Sequence, residues 1–206
     1  MNKQEWEKKL AKYFEGYVKY DVPPSTMSHE WVKRYRAWDE AGIAQLPEQV
    51  ELLLETIEKF EIDTFFELGI MGGGLTLMML DRMKVYFDFS YFGFEIDKQF
   101  PCERAMNSSQ VTMADVFSQP IKAFISDRIQ TTEKHVLVFC DDGNKPREMI
   151  EYSMLLRVGD YIMGHDYPGE ITDKTLDALD KQIQFIEEVD RQKYRDNGYS
   201  LWRRYK

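Results

Sequence analysis

Thr64-Phe-Phe-Glu-Leu-Gly-Ile-Met-Gly-Gly-Gly-Leu-Thr76 is the stretch whose reading decides the fold. Phe65, Phe66 and Leu68 form the short apolar run of a strand buried on both faces, as parallel strands are. Gly69, Gly72, Gly73 and Gly74 let the chain turn sharply and bring backbone N–H groups close to a ligand. From Leu75 to Leu80 an apolar run opens a helix. Strand, glycine loop and helix make the first unit of a nucleotide-type α/β fold, and such a unit holds its ligand at the loop.

The chemistry of the loop separates the candidate ligands. Dinucleotide folds place a pyrophosphate on a G-x-G-x-x-G turn. The spacing from Gly69 is G-x-x-G-G-G, and Glu67 stands two residues before the first glycine. A carboxylate repels a phosphate and attracts a cationic amino acid. S-adenosylmethionine carries an ammonium and a sulfonium and no phosphate, so the loop suits that cofactor better than NAD. A tight βα turn with no ligand is the plain structural alternative.

Working outward, four more apolar runs end in acids. Tyr91-Phe-Gly-Phe-Glu-Ile-Asp97 places Glu95 and Asp97 at its tip, where a carboxylate can accept hydrogen bonds from a ribose diol. Val111-Thr-Met-Ala-Asp115 is a short third strand. His135-Val-Leu-Val-Phe-Cys-Asp-Asp142 and Asp160-Tyr-Ile-Met-Gly-His-Asp166 are the fourth and fifth. Open α/β sheets bind ligands at the carboxyl ends of their strands. Glu67, Glu95, Asp115, Asp141, Asp142 and Asp166 are therefore expected on one rim. Any one of them alone is equally well a cap or turn residue.

Helices fill the intervals. Val50, Leu53, Leu54, Ile57 and Phe60 make one apolar stripe behind Pro47, a normal helix start. Another helix covers Pro146 to Leu156. An amphipathic helix spans residues 3–20, with Trp6, Leu10, Tyr13, Phe14 and Tyr17 at helical spacing. Asp21 to Ser25 breaks it, and a polar helix follows from Glu30 to Trp38. Residues 184–189 read as helix or antiparallel strand, and Tyr199 to Tyr205 as a final strand after the Asn197-Gly198 turn.

The division expected is an amino-terminal helical extension at 1–40, a lid or dimer element, and a cofactor-binding domain at 41–206. A chain of 206 residues suits a full sheet with helices on both faces. The net charge of −9 argues against nucleic acid, whose phosphates need a basic surface. Lys33-Arg34-Tyr35-Arg36 and Arg203-Arg204-Tyr205-Lys206 read as solvated faces. No apolar run reaches the length of a membrane span, and the charged start lacks a signal-peptide core. Two cysteines, Cys102 and Cys140, give no disulfide framework, and Cys140 reads as a buried thiol, which fits a reducing, cytoplasmic setting.

With these residues in view, the chain from about 38 to 206 resembles the class I S-adenosylmethionine-dependent methyltransferases. More narrowly it resembles the O-methyltransferases of cephamycin and macrolide biosynthesis. Trp38, Gly42-Ile43 and Gln45-Leu-Pro47 are similar to the segment leading into that core. Glu67-Leu-Gly with Gly73-Gly74 is similar to the cofactor loop, and Gly93-Phe-Glu-Ile-Asp97 to the ribose strand. Asp115 stands at the adenine side, and Phe139 to Asp142 and Val158 to Asp166 resemble the last two tips.

The resemblance implies a Rossmann-like, seven-stranded, mostly parallel sheet whose antiparallel strand is Tyr199 to Tyr205. It implies methylation of a small-molecule or sugar hydroxyl, with Glu67, Gly69, Gly73, Gly74, Glu95, Asp97 and Asp115 around the cofactor. It implies a divalent metal, magnesium or manganese, on Asp141, His165 and Asp166. An imidazole is a poorer magnesium ligand than the acid the family usually has where His165 stands, and the family often has a histidine where Asn144 stands. His165 is then either ligand or catalytic base, and Asp142 supports the metal or the substrate. The rivals are a scaffold that binds the cofactor without transferring methyl groups and an NAD-dependent oxidoreductase. The partners expected are a small-molecule acceptor and a second copy of the chain.

Overall fold

The computed structural model describes residues 1–15, 37–99, 101–182 and 185–206. Tyr17, the break from Asp21 to Ser25 and most of the polar helix expected from Glu30 lie outside the described residues.

Seven strands form one sheet: β3 (Ile62–Leu68), β4 (Ser90–Glu95), β5 (Val111–Met113), β6 (His135–Cys140), β7 (Tyr161–His165), β8 (Ile186–Glu188) and β9 (Tyr199–Arg204). A two-stranded hairpin, β1 (Ala37–Trp38) and β2 (Ala41–Gly42), stands apart from it. The sheet order is β5-β4-β3-β6-β7-β9-β8. The first five pair in parallel, and β9 is antiparallel to both β7 and β8. β9 is thus the one strand that opposes the rest, over the segment expected. The ambiguous stretch at 184–189 resolves as β8, a three-residue edge strand.

Alternation along each strand sends side chains to two cores. Phe65, Tyr91, Phe139, Met163 and Leu201 face one way. There they meet α2 (Pro47–Lys59), through Val50, Leu53, Leu54 and Ile57, and α3 (Gly74–Val85). Phe66, Leu68, Phe94, Val138, Cys140 and Trp202 face the other way, toward α5 (Gln119–Thr131), α6 (Lys145–Ser153) and α7 (Asp173–Gln182). Short α4 (Glu103–Met106) and α8 (Arg191–Asp196) complete the described helices. Because the central strands are covered on both sides, their sequences are nearly continuous apolar runs.

The amino-terminal helix α1 (Lys3–Glu15) joins the first core. Trp6 is 2% exposed and packs on Trp38 at a centroid distance of 5.3 Å. Below them Asp81, 1% exposed, accepts from Lys9 Nζ (2.7 Å), Lys84 Nζ (2.8 Å) and Trp38 Nε1 (3.0 Å). Asp81→Ala leaves a buried indole N–H unpaired and frees α1. It is expected to cost about 1–3 kcal/mol, read as a lower urea midpoint at unchanged slope. An unchanged midpoint would mean that α1 is not anchored there.

Candidate functional site

The sheet reverses its strand order between β3 and β6, and the crevice outside their carboxyl ends is where such sheets take ligands. Register carries the acids there. Leu68 pairs with Cys140 and Cys140 with Gly164, so Asp141 and His165 emerge side by side.

On the β3–β4–β5 side, Glu67 sits at the floor of a cavity of about 10 Å³ that Gly69, Gln45 and Asp141 also line. That volume holds about one water. Glu67 is 2% exposed and accepts from Thr76 Oγ1 at 3.0 Å and from the Tyr91 hydroxyl. Burial pushes its carboxyl up to about 8, against the two hydrogen bonds, and the charges of Asp141 and Glu95 add to the rise. That environment favours the neutral acid at Glu67 near pH 7 over the carboxylate the sequence suggests.

Glu95, 5% exposed at the tip of β4, accepts from the backbone N–H groups of Ile70 (3.2 Å), Met71 (3.1 Å), Ile96 (2.8 Å) and Asp97 (2.9 Å). It ties the glycine loop to the next strand. Asp97 accepts from Gln99 N at 2.9 Å, and exposed Asp115, beyond β5, accepts from Phe117 N at 2.8 Å.

The glycines have packing reasons of their own. At Gly69, with φ +88°, a Cβ would lie 2.7 Å from the backbone of Asp141 and Asp142. At Gly74 it would lie 2.5 Å from the Ala41 carbonyl oxygen, and at Gly73 2.9 Å from Ala105. The space a side chain would need at these positions is filled by this chain.

On the β6–β7 side, His165 Nδ1 is 2.8 Å from Asp141 Oδ1, and Nε2 faces Gln49 Oε1 at 3.3 Å. Gln49 is oriented from both ends: its Oε1 accepts from Leu46 N (2.7 Å) and its Nε2 donates to the Asn197 carbonyl (2.9 Å). Gln45 Nε2 donates to the other oxygen of Asp141. Burial pulls the imidazole pKa down, but the charge of Asp141, its hydrogen bond and the charge of Asp166 outweigh burial and hold it above the ordinary value. Asp166 is half-exposed with φ +65°. Asp142, at the next position along the chain, accepts from Gly143 N at 2.8 Å through its carboxylate.

The donor atoms of Asp141, His165 and Asp166 lie within 4.8 Å of one another, as the sequence led one to expect of a cation site. A side chain that reading did not weigh stands among them. Lys145, 5% exposed, has its ammonium 2.9 Å from Glu170 Oε2, 3.1 Å from Asp166 Oδ2 and 3.7 Å from Asp141 Oδ1. Burial would lower its pKa, yet the surrounding acids keep it above the usual lysine range. As arranged, the donor set does not fit a divalent ion: a cation already occupies its carboxylates, and the imidazole nitrogen nearest Asp141 is spent on a hydrogen bond. Lys145, Glu170, Gln45 and Gln49 are the site residues that sequence reasoning missed. The available signal was a lysine just beyond the acid pair, at a helix start.

No family model matches the sequence, and none of the curated proteins matches it. Solved structures do. CmcI, in a structure with Mg and SAM, superposes with a TM-score of 0.62 at 16% identity, over 93% of this chain and 90% of that one. CmcI with SAH gives 0.60 at 16% identity, over 92% and 97%. The O-methyltransferase TomG from Streptomyces achromogenes, involved in tomaymycin synthesis and solved with SAM, gives 0.50 at 16% identity, over the full length of both. What this chain shares with them is architecture: it has the Rossmann-like fold of the class I S-adenosylmethionine-dependent methyltransferases.

Proposed function

We propose that the chain is an S-adenosylmethionine-dependent O-methyltransferase acting on a hydroxyl of a small molecule. The observation that carries this reading is the His165–Asp141 pair, at 2.8 Å, on the rim beside the crevice of this fold. Carboxyl groups at the tips of β3, β4 and β5 suit a cofactor with hydroxyls, an ammonium and a sulfonium. When bound, that cofactor supplies an electrophilic methyl group. Glu95 and Asp115 bind its ribose and adenine side, Asp97 stands next to Glu95, and Gly69, Gly73 and Gly74 keep the loop close to the strands.

His165 takes the acceptor's proton at Nε2 once the long contact to Gln49 gives way. Asp141 holds the ring through Nδ1, and Asp142 faces the acceptor from the next position. Residues 1–40 act as a structural extension, and residues 41–206 carry the site. The acidic charge favours a small acceptor over nucleic acid. Among the described residues no helix is long and apolar enough to cross a membrane, and two unpaired cysteines suit the cytoplasm.

A second reading is a scaffold that binds the cofactor without transferring its methyl group. Titration with S-adenosylmethionine against NAD, followed by S-adenosylhomocysteine release over hydroxyl acceptors, separates the two. Glu95→Ala is expected to weaken S-adenosylmethionine binding by about 1–3 kcal/mol, through the lost carboxylate and the freed N–H groups of Ile70 and Met71. Unchanged binding would sink the ribose assignment.

A further inference from the structure

We infer that Lys145 is the resident cation of the Asp141–His165–Asp166 cluster and keeps divalent ions out of it. Two independent features of the geometry carry this. The first is the ammonium. It lies against three carboxylates, 2.9 Å from Glu170, 3.1 Å from Asp166 and 3.7 Å from Asp141. Any ion bound by Asp141 and Asp166 would share their oxygens with that charge. Nor is the lysine free to swing away. It is the first residue of α6, followed by Pro146, which fixes the backbone there, and its side chain is 6% exposed.

The second feature is the imidazole. A carboxylate can only accept, so Nδ1 at 2.8 Å from Asp141 carries the hydrogen and has no lone pair for a metal. The opposite nitrogen faces Gln49 Oε1, an acceptor fixed by its own hydrogen bond from Leu46 N. Nδ1, which is also 3.6 Å from Asp166 Oδ1, thus turns a hydrogen and not a lone pair toward the space between the carboxylates. A hard divalent cation needs several oxygen ligands in an open shell. Here the carboxylate oxygens of such a shell already face the protein's own cation.

Lys145 is a positioning residue. It neutralises Asp141 and Asp166, so that Asp141 stays directed at His165. The link to methyl transfer rests on the proposed function, whereas the exclusion of metal does not, and the two are read separately. Mn²⁺ binding is measured by loss of the free-ion paramagnetic signal for the wild-type chain, Lys145→Met and Lys145→Arg. Wild type and Lys145→Arg are expected to leave the signal unchanged. Lys145→Met, with a similar stem and no charge, is expected to bind one ion, and Lys145→Met with Asp166→Asn to lose it.

Mn²⁺ binding by wild type that Asp141→Asn abolishes would overturn the inference, and this arm needs no variant at position 145 to fold. A folded Lys145→Met, by circular dichroism, that binds no Mn²⁺ would overturn it too. Where turnover is found, excess chelator should leave wild-type S-adenosylhomocysteine release unchanged, and Lys145→Met should slow it about 10- to 100-fold with little change in S-adenosylmethionine affinity. Chelator that stops wild-type turnover would overturn the inference while leaving methyl transfer standing. Absence of turnover with every acceptor, alongside the Mn²⁺ pattern above, would count against the proposed function alone.

Discussion

His165→Ala is expected to slow methyl transfer by about 10²–10⁴-fold while S-adenosylmethionine still binds, because the contacts proposed for the cofactor lie on β3, β4 and β5 and His165 ends β7. A hydroxyl is a poor nucleophile until its proton leaves, and the imidazole is the rim group whose ordinary pKa lies near neutrality. Asp141 fixes which nitrogen is available. With Nδ1–H donated to Asp141, the ring that has shed its second proton offers Nε2 as the base once the acceptor Gln49 Oε1 no longer faces it. The acids around the ring raise its pKa despite burial. The imidazolium cannot accept a proton, so the wild-type rate should fall as pH drops, with a midpoint above the ordinary value of about 6.5. Asp141→Asn removes the negative partner and should move that midpoint down as well as lowering the rate. His165→Ala should lose the limb altogether. A variant that keeps both its rate and its pH limb would remove His165 from the chemistry and leave positioning by the rim as the source of rate.

How much of this was legible in the sequence depends on how far apart the interacting residues lie. Phe65, Phe66 and Leu68 announced a strand covered on both faces because burial leaves its mark on the strand itself. The same holds for β6 and β7, and for β9, where Gly198 takes the positive φ of +76° that its turn needs. β8 was ambiguous for a related reason: three residues at a sheet edge carry no periodicity. The candidate site was legible only as a row of acids at strand tips. What those acids touch is set by segments remote in sequence. Gln45 reaches Asp141 across 96 positions, and Gln49 reaches His165 across 116. Lys145 is closer, four residues from Asp141, yet a lysine at a helix start is usually solvated, and only the rim acids around it make it internal. The glycines were read correctly as a sharp turn. The reason for their lack of side chains, the backbone of β2 and of Asp141 pressed against them, needs the tertiary structure.

Glu67 should make the protein lose stability as pH rises, which is the reverse of a salt-bridged carboxylate. Its carboxyl titrates near 8 in the folded chain, chiefly because burial disfavours the charge. In the unfolded chain it titrates near the ordinary value of about 4.3. Below that value both states hold the proton, and the full contribution to stability is present. Between there and about 8 the unfolded chain ionises freely while the folded chain does not, so stability drains away, by on the order of 5 kcal/mol at the upper end. Glu148, also pushed up to about 8 by burial and then by Asp142, acts with the same sign. The measurement must therefore compare variants rather than follow wild type alone. Glu67→Gln keeps an acceptor for Tyr91 and Thr76 and cannot ionise. Its urea midpoint should rise relative to wild type steadily from about pH 4.5 to pH 8 and level off beyond. A difference constant across that range would show that Glu67 is already ionised in the folded chain. The same neutral acid bears on cofactor binding. An ammonium brought to the Glu67 end of the crevice favours the carboxylate, so binding near pH 7 should release about one proton. Calorimetry in buffers of different ionisation enthalpy reads that proton directly, and its absence would place the cofactor's amino acid end elsewhere on the rim.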